Sequence, residues 1–463
     1  MRSIAFLLAL TLLTPIALAR NVLLFTIDSC RADRLGAYGH EGGSTPHMDE
    51  WAKTGTLFED AYATSAWTAP GVVSILSGLY PPSHGINSRD HMGSPELLTL
   101  LKIFKGRGYQ VPNLNFFTFA PYYKNLGLPS IESQYFGAGQ GEELINWLEK
   151  NAGAGHPPFF VWYHTTMLHQ PYNPDPVDLP APREELLKSP GIKAVMTGAI
   201  VPVRSVEFSS QDRSVVDQLY EAELRRLDRF FHRVLETLKN KSLREDTLII
   251  LTADHGEELL DHGFVGHAST SLQAKLYEEL IRIPLIVSWP GKVPAHKRVS
   301  RLVNQTDIMP TVLRLLDFDV PNFLQGQDLF SEGAERPLFF ESVIAGNQTT
   351  REREHLWVRA VRSGDYKYIS SGELYNLKQD PLEERNIVHE NPGIAERLAH
   401  ELDTWLEEHT ALRDKLFSTR PQTFSATKRK ECPGIMTPEK GQTLDYDIHT
   451  GMLLLDWTGN KNT

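Results

Sequence analysis

The sequence predicts an α/β protein, with one large sheet covered by helices on both faces and a small C-terminal unit holding an antiparallel sheet and a helix. Three observations carry this. The runs "NVLLFTID" (21–28), "PPFFVWYHTT" (157–166), "DTLIILTADHG" (246–256) and "IRIPLIVSWPG" (281–291) are apolar without clean alternation, as buried strands are. Amphipathic stretches at helical spacing lie between them: Pro46–Thr56, Glu96–Gly108, Glu142–Asn151 and Asp217–Asn240. That alternation argues for a parallel sheet. Beyond Ser331–Pro337 the runs shorten and alternate ("PLFFESV", "LWVRAVRSGDYKYIS", "GELYNL") ahead of an amphipathic helix at Gly393–His409, which reads as the antiparallel unit.

In chain order, residues 1–19, "MRSIAFLLALTLLTPIALA", carry a basic residue, an apolar run and a small-residue cleavage pattern, so a secretory leader is expected, with a mature start near Arg20 and a periplasmic or secreted location. Residues 20–331 are expected to form a catalytic domain, 332–415 the small α+β unit, and 416–463 an irregular extension. No second segment reaches membrane-span length, so no stable membrane anchor is expected. With 463 residues, 41% of them hydrophobic, the chain can bury a large core. Its formal charge of −11 leaves no footprint for nucleic acid. Cys30 and Cys432 are too few for a disulfide scaffold and read as separate thiols.

Ligands of open α/β sheets sit beyond the carboxyl ends of the strands. Two runs end there in acids, Asp28 and Asp254, the latter followed by His255. Either Asp alone reads as a cap or turn residue. Together, on parallel strands, they repel unless a cation lies between them, and the adjoining imidazole completes a metal-ligand set. The stretch "TAPGVVSILSG" has the form of a helix start, with Thr68 as N-cap, Pro70 in the first turn and Gly78 as the stop. A hydroxyl there can cap the helix or, beside a metal, act as a nucleophile.

The blocks "NVLLFTIDSCRADRLGAYG", "TPHMDEWAKTGTLFEDAYA", "TAPGVVSILSGLYPPSHGI", "PPFFVWYHTTMLHQPY", "LTADHGEELLDHG", "LYEELIRIPLIVSWPG" and "GELYNLKQDPLEERNI" resemble, in order, the signature blocks of the sulfatase family of the alkaline phosphatase superfamily. The resemblance implies that family's architecture and a metal-dependent hydrolase of ester bonds. It places Asp28, Asp254, His255 and Thr68 on metal-ligand positions, with Thr68 also the nucleophile, and His169 on a substrate or leaving-group contact. His267 and Lys275 compete for the position of a leaving-group acid, and the "HG…GH" spacing favours His267. The implied cofactor is one divalent metal ion, Mn, Zn, Ca or Mg, with His255 leaning the set toward manganese or zinc. Asp228 and His232 share one amphipathic helix and read as structural, not as a second metal site. Arg31 and Arg34 read equally as substrate-anion partners or as partners of nearby acids, His84 as structural, Trp67 as core, and His262 as site or backbone partner. The implied partner is a small-molecule, glycan- or lipid-linked anionic ester; the sequence does not fix the oligomeric state.

Three departures bear on the chemistry. The family pattern Cys/Ser-x-Pro-x-Arg reads Thr68-Ala-Pro70-Gly-Val72 here, so the nucleophile is Thr and the Arg is missing. Thr carries a methyl on Cβ and cannot become the formylglycine aldehyde that expels sulfate. Ser29 replaces a second Asp after the first ligand. A phosphorus ester, a phosphodiester or phosphonate, is therefore favoured over a sulfate ester handled without formylglycine. The third alternative is a fold that has lost turnover and only binds.

Overall fold

The computed structural model describes residues 20–88, 91–136, 141–333, 335–343 and 357–417, together with a backbone hairpin of Leu444–Asp447 paired to Met452–Leu455. The leader, Cys432 and most of the expected extension lie outside the described residues.

The main sheet has six strands in the spatial order Phe160–Thr165, Asn21–Ile27, Thr247–Ala253, Leu285–Ser288, Thr56–Phe58 and Lys297–Val299. The first three are parallel. The expected all-parallel sheet is corrected at Leu285–Ser288, which runs antiparallel to both neighbours. Its direction follows from where it starts. The preceding Glu278–Ile281 turn is tied to the strand-end loop by Gly256 N–H to Leu280 O (2.8 Å) and Glu257 N–H to Glu279 O (2.9 Å), so the chain can only run back down the sheet.

Alternate residues of Asn21–Ile27 feed two cores. Leu23, Phe25 and Ile27 face one that includes Leu224, Leu227 and Phe231 of the Ser210–Asn240 helix. Val22 and Leu24 face the other, with Val72, Val73 and Leu76 of the Thr68–Ser77 helix. Each such fully buried side chain contributes roughly 1.5–3 kcal/mol. The long helix starts earlier than its apolar periodicity shows, because Ser209 and Asp212 form a reciprocal capping box.

The Thr68–Ser77 helix corrects another expectation. Its N-cap is Trp67, in extended conformation, and Thr68 is the first helical residue. The Thr68 hydroxyl is therefore not engaged in a cap. Gly78 ends the helix in the left-handed region, φ 66°, as expected. Gly71 brings this helix against the metal-side strand, since a Cβ there would stand 2.4 Å from the Asp254 carbonyl oxygen.

Leu338–Val343, Trp357–Ser363, Tyr366–Ile369 and Glu373–Asn376 form a four-stranded antiparallel sheet. Leu398, Leu402 and Trp405 of the Pro392–Leu416 helix pack on its Val361 and Leu374. Among the described residues no helix is long and apolar enough to cross a membrane.

Two ionic clamps fix the loop after Asp254. Lys367 of the small sheet is buried between Glu278 Oε1 (2.9 Å) and Glu383 Oε1 (2.7 Å). His262 Nδ1 lies 2.6 Å from Glu279 Oε1 and 3.5 Å from Glu258 Oε2. Burial opposes charge on His262, but hydrogen bonds and charges from Glu258 and Glu279 outweigh it and push its pKa up to about 10. Burial, with Glu279 alongside, pushes Glu258 up to about 9.

Removing the Lys367 ammonium leaves the buried Glu383 without its counter-charge, while Glu278 keeps Arg362 and Tyr62, so Lys367→Met should cost about 3 kcal/mol in chemical denaturation. Because His262 is raised above its ordinary 6.5, its stabilisation is complete below pH 6.5 and is lost as pH rises through 10. Thermal melts should therefore fall along that alkaline limb, and His262→Gln should flatten it.

Candidate metal and active site

Strand register builds the site. Thr26 pairs with His164 on one side and Thr252 on the other, and Ile27 pairs with Ala253, so Asp28 and Asp254 leave adjacent strands at the same level. His164 shares a sheet face with Thr26 and Asp28. Asp28, Asp254, His164 and His255 are all buried at this edge.

Hydrogen-bond partners assign the imidazole tautomers. His255 Nδ1–H donates to Gly256 O (2.7 Å), which leaves the Nε2 lone pair facing Asp254 Oδ2 (3.3 Å) and Asp28 Oδ1 (3.6 Å). Thr26 Oγ1 donates to Tyr163 O (3.2 Å) and accepts from Trp162 Nε1 (2.9 Å), so it also accepts from His164 Nδ1–H (2.9 Å). His164 Nε2 then faces Asp28 Oδ2 (3.2 Å) and Asp254 Oδ2 (3.7 Å). Asp254 Oδ2 has no hydrogen-bond donor. Asp28, His164 and Asp254 can each bring one donor atom within 4.8 Å of the others, a set that fits a divalent cation, and His255 Nε2 lies against both acids.

The carboxyl pair responds accordingly. Burial works against charge on Asp28, and imidazolium forms of His169, His164 and His255 would hold it below the usual carboxylate range. Burial and the charge of Asp28 drive Asp254 well above that range.

Thr68 Oγ1 stands 3.4 Å from His255 Nε2. Ser29 is held in the left-handed region, φ 61°, where its N–H donates to Asp254 Oδ1 (3.2 Å) and its carbonyl accepts from Tyr220 OH (2.7 Å). Its Oγ donates to Asp28 Oδ1 (2.9 Å), so it orients a ligand and does not replace the missing Asp. His169 lines the cleft, with Nδ1–H on Gln170 O. The ring of His267 lies 4.3 Å from that of His255 and 4.9 Å from that of His169. His267 Nδ1 is 3.2 Å from Glu257 Oε2, and its Nε2 is 2.9 Å from Ser269 Oγ, which also lines the cleft. Burial pushes Glu257 up to about 7, against the lowering charges of His169 and His255.

Lys275 is not in this group. Its Nζ pairs with Glu373 Oε1 (3.3 Å) on the small sheet, because the segment after Ser271 has already turned away from the cleft. Arg31 is buried against Asp33 and Asp261, Arg34 pairs with Asp217, and His84 is enclosed beside Ser74. Asp228 caps the N–H groups of His47 and Met48, while His232 stacks on His47; both are structural. Trp67 does two jobs, buried in the core and edging the cleft. The cleft, of about 320 Å³, has Trp67, Phe117, Tyr122, Asn173 and Arg226 among its lining residues. Sequence reasoning missed His164, Glu257 and Ser269. His164 had a signal, being the one imidazole inside an otherwise apolar or hydroxyl-bearing strand.

A family model described as Sulfatase matches residues 20–318, and a second, described as N-sulphoglucosamine sulphohydrolase, C-terminal, matches 273–411. The chain is 24% identical over 452 residues to the ulvan-active sulfatase of Formosa agariphila, covering 86% of this chain and 83% of that protein. It is 22% identical over 481 residues to the delta 4,5-hexuronate-2-O-sulfatase of Bacteroides thetaiotaomicron, covering 93% and 95%. Among solved structures, the phosphonate monoester hydrolase of Agrobacterium radiobacter superposes with TM-score 0.65 at 22% identity, over 87% of this chain and 97% of that one. The strand-edge acids, the helix-borne hydroxyl and the matched domain lead to one assignment: the chain belongs to the sulfatase family, whose members are metal-dependent hydrolases of ester bonds.

Proposed function

We propose that this hydrolase cleaves a phosphorus ester, a phosphodiester or a phosphonate monoester, with Thr68 as nucleophile. The observation that carries this is Thr68 itself. A hydroxyl at the first position of its helix faces His255 Nε2, its Cβ bears a methyl, and the position of the missing Arg is Val72, buried in the core. Such a side chain cannot yield the aldehyde route to sulfate release, but it can be phosphorylated and freed by water.

A cation held by Asp28 and Asp254 would supply the positive charge that lowers the proton affinity of a neighbouring hydroxyl. Thr68 Oγ–H then releases its proton to water in the cleft, and its oxygen bonds to phosphorus as the bond to the leaving oxygen breaks. That oxygen takes its proton from the His267–Ser269 side of the cleft, where Glu257 orients the imidazole. Water next attacks phosphorus and returns Thr68 as a hydroxyl. The aromatic lining of Trp67, Phe117 and Tyr122 suits a ring-bearing leaving group, with Arg226 and Asn173 in the same cleft. The leader-like residues 1–19 support action outside the cytoplasm.

A sulfate monoester is the competing substrate, since the curated relatives are named as sulfatases. The deciding assay compares aryl sulfate, phosphate monoester, phosphodiester and phosphonate monoester, with mass analysis of acid-quenched protein for an adduct on the Thr68 peptide. Phosphorus turnover with a phosphorylated Thr68 is expected; faster sulfate turnover overturns the reading. Thr68→Ala should lower kcat by about 10³-fold or more. His267→Gln should lower kcat by about 10²–10⁴-fold for alkyl leaving groups and far less for nitrophenyl ones, read from a leaving-group series.

A further inference from the structure

We propose that the cavity beyond Asn173 is a second substrate subsite, where Arg183 binds an anionic group carried at a distance from the ester. The inference rests on the cleft being the place where the ester is cleaved, and it holds whether that ester is of phosphorus or of sulfur.

The cavity adjoins the reaction cleft. It measures about 810 Å³, is more open than the cleft, and shares Asn173 and Arg226 with it. Its wall comes mostly from the segment "NPDPVDLPAPRE" (173–184), whose prolines restrict the backbone before anything binds. The segment is also tied to the Ser210–Asn240 helix. Asn173 N–H donates to Glu223 Oε1 (2.6 Å), and its carbonyl accepts from Arg226 Nη1 (3.2 Å). Asp175 and Asp178 both pair with Arg229 Nη2, at 2.7 and 2.6 Å. The cavity is therefore formed in advance, which spares a ligand the cost of ordering it.

Charge decides what fits there. The arginines of the neighbouring helix are already committed: Arg225 and Arg229 pair with Asp178, and Arg226 pairs with Glu223 (2.8 Å). Arg183 differs. It is half-buried, its Nη1 donates to Asn173 Oδ1 (2.8 Å), and among the described residues it forms no ion pair. A guanidinium held by a neutral amide oxygen keeps its remaining donors, and its full charge, for a ligand. Asn173 borders both cavities, so the charge it holds stands beside their junction. Glu184 lines the same cavity, also without an ion pair among the described residues, and opposes an anion. A contact remote from the reacting atoms is equal in ground and transition states, so it lowers KM and leaves kcat alone.

The test compares matched substrates on the full chain. Nitrophenyl phosphodiesters and alkyl sulfates carry an alkyl arm, of several lengths, that ends in a carboxylate or in the uncharged amide. For the best arm length, wild type should show a KM about fivefold or more lower with the carboxylate, at equal kcat, and the advantage should shrink at high salt. Arg183→Gln should bring the ratio of the two KM values to about one. Glu184→Gln, which removes the opposing charge, should widen the ratio by about twofold. Equal KM values for the two arms at every length, or a carboxylate preference that survives Arg183→Gln, would overturn the proposal. Where turnover is too slow to follow, calorimetry of the same pairs on Thr68→Ala protein reads the same ratio, and equal or undetectable affinities refute the subsite. A carboxylate preference on sulfate esters with phosphorus esters inert would refute only the phosphorus-ester reading. Phosphorus turnover indifferent to the charge on the arm would refute only this one.

Discussion

The constraint on which the rest of the structure depends is the burial of two carboxylates side by side at one sheet edge. Asp28 and Asp254 are placed there by parallel strands whose register leaves no room for one to retreat from the other. Two buried anions in contact are costly unless compensated, and the nearby histidines turn lone pairs, not protons, toward them. Every element around the site is arranged to keep this unsatisfied set in place. Gln305 Nε2 donates to the carbonyls of Ala253 (2.9 Å) and Asp254 (2.7 Å), Tyr220 holds the strained Ser29, and Gly71 lets the nucleophile helix lie against the strand end. Strain of the Ser29 kind costs about 1 kcal/mol or more and persists where the surroundings over-determine it.

In the proposed reaction the participating groups arrive from different elements, and that division bears on the chemistry. The cation ligands come from strand ends, the most rigid parts of the fold. Thr68 comes from the first turn of a helix, and the proton-handling group, His267, Glu257 and Ser269, comes from the loops on either side of a short hairpin. The nucleophile is thus fixed relative to the cation, whereas the leaving-group side can vary with substrate, as loops on a rigid scaffold do.

Much of this was legible in the sequence for a physical reason. Asp28, Asp254, His255 and Thr68 terminate or begin regular elements, and the end of an apolar run can be read directly. The place of His164 beside the two acids was not legible, because it depends on being opposite Thr26, and strand register is not written in either strand alone. The choice between His267 and Lys275 rested on spacing; three dimensions settle their positions, since Lys275 turns to Glu373. The direction of Leu285–Ser288 escaped for a similar reason: a short apolar strand carries no mark of polarity, and the path of the preceding loop decides it. The start of the Ser210–Asn240 helix lay in its cap, upstream of the apolar pattern that announced it.

Lys367 has a consequence for how the molecule is put together. It reaches from the small sheet to Glu278, and the next residue, Glu279, both clamps His262 and carries the carbonyl that receives Glu257 N–H. Arg362 and Lys367 thus put counter-charges from the small sheet onto a helical turn that the catalytic loop leans on. The C-terminal unit is therefore not a detachable appendage. It supplies counter-charges to the helical turn on which the Asp254–Glu257 loop leans.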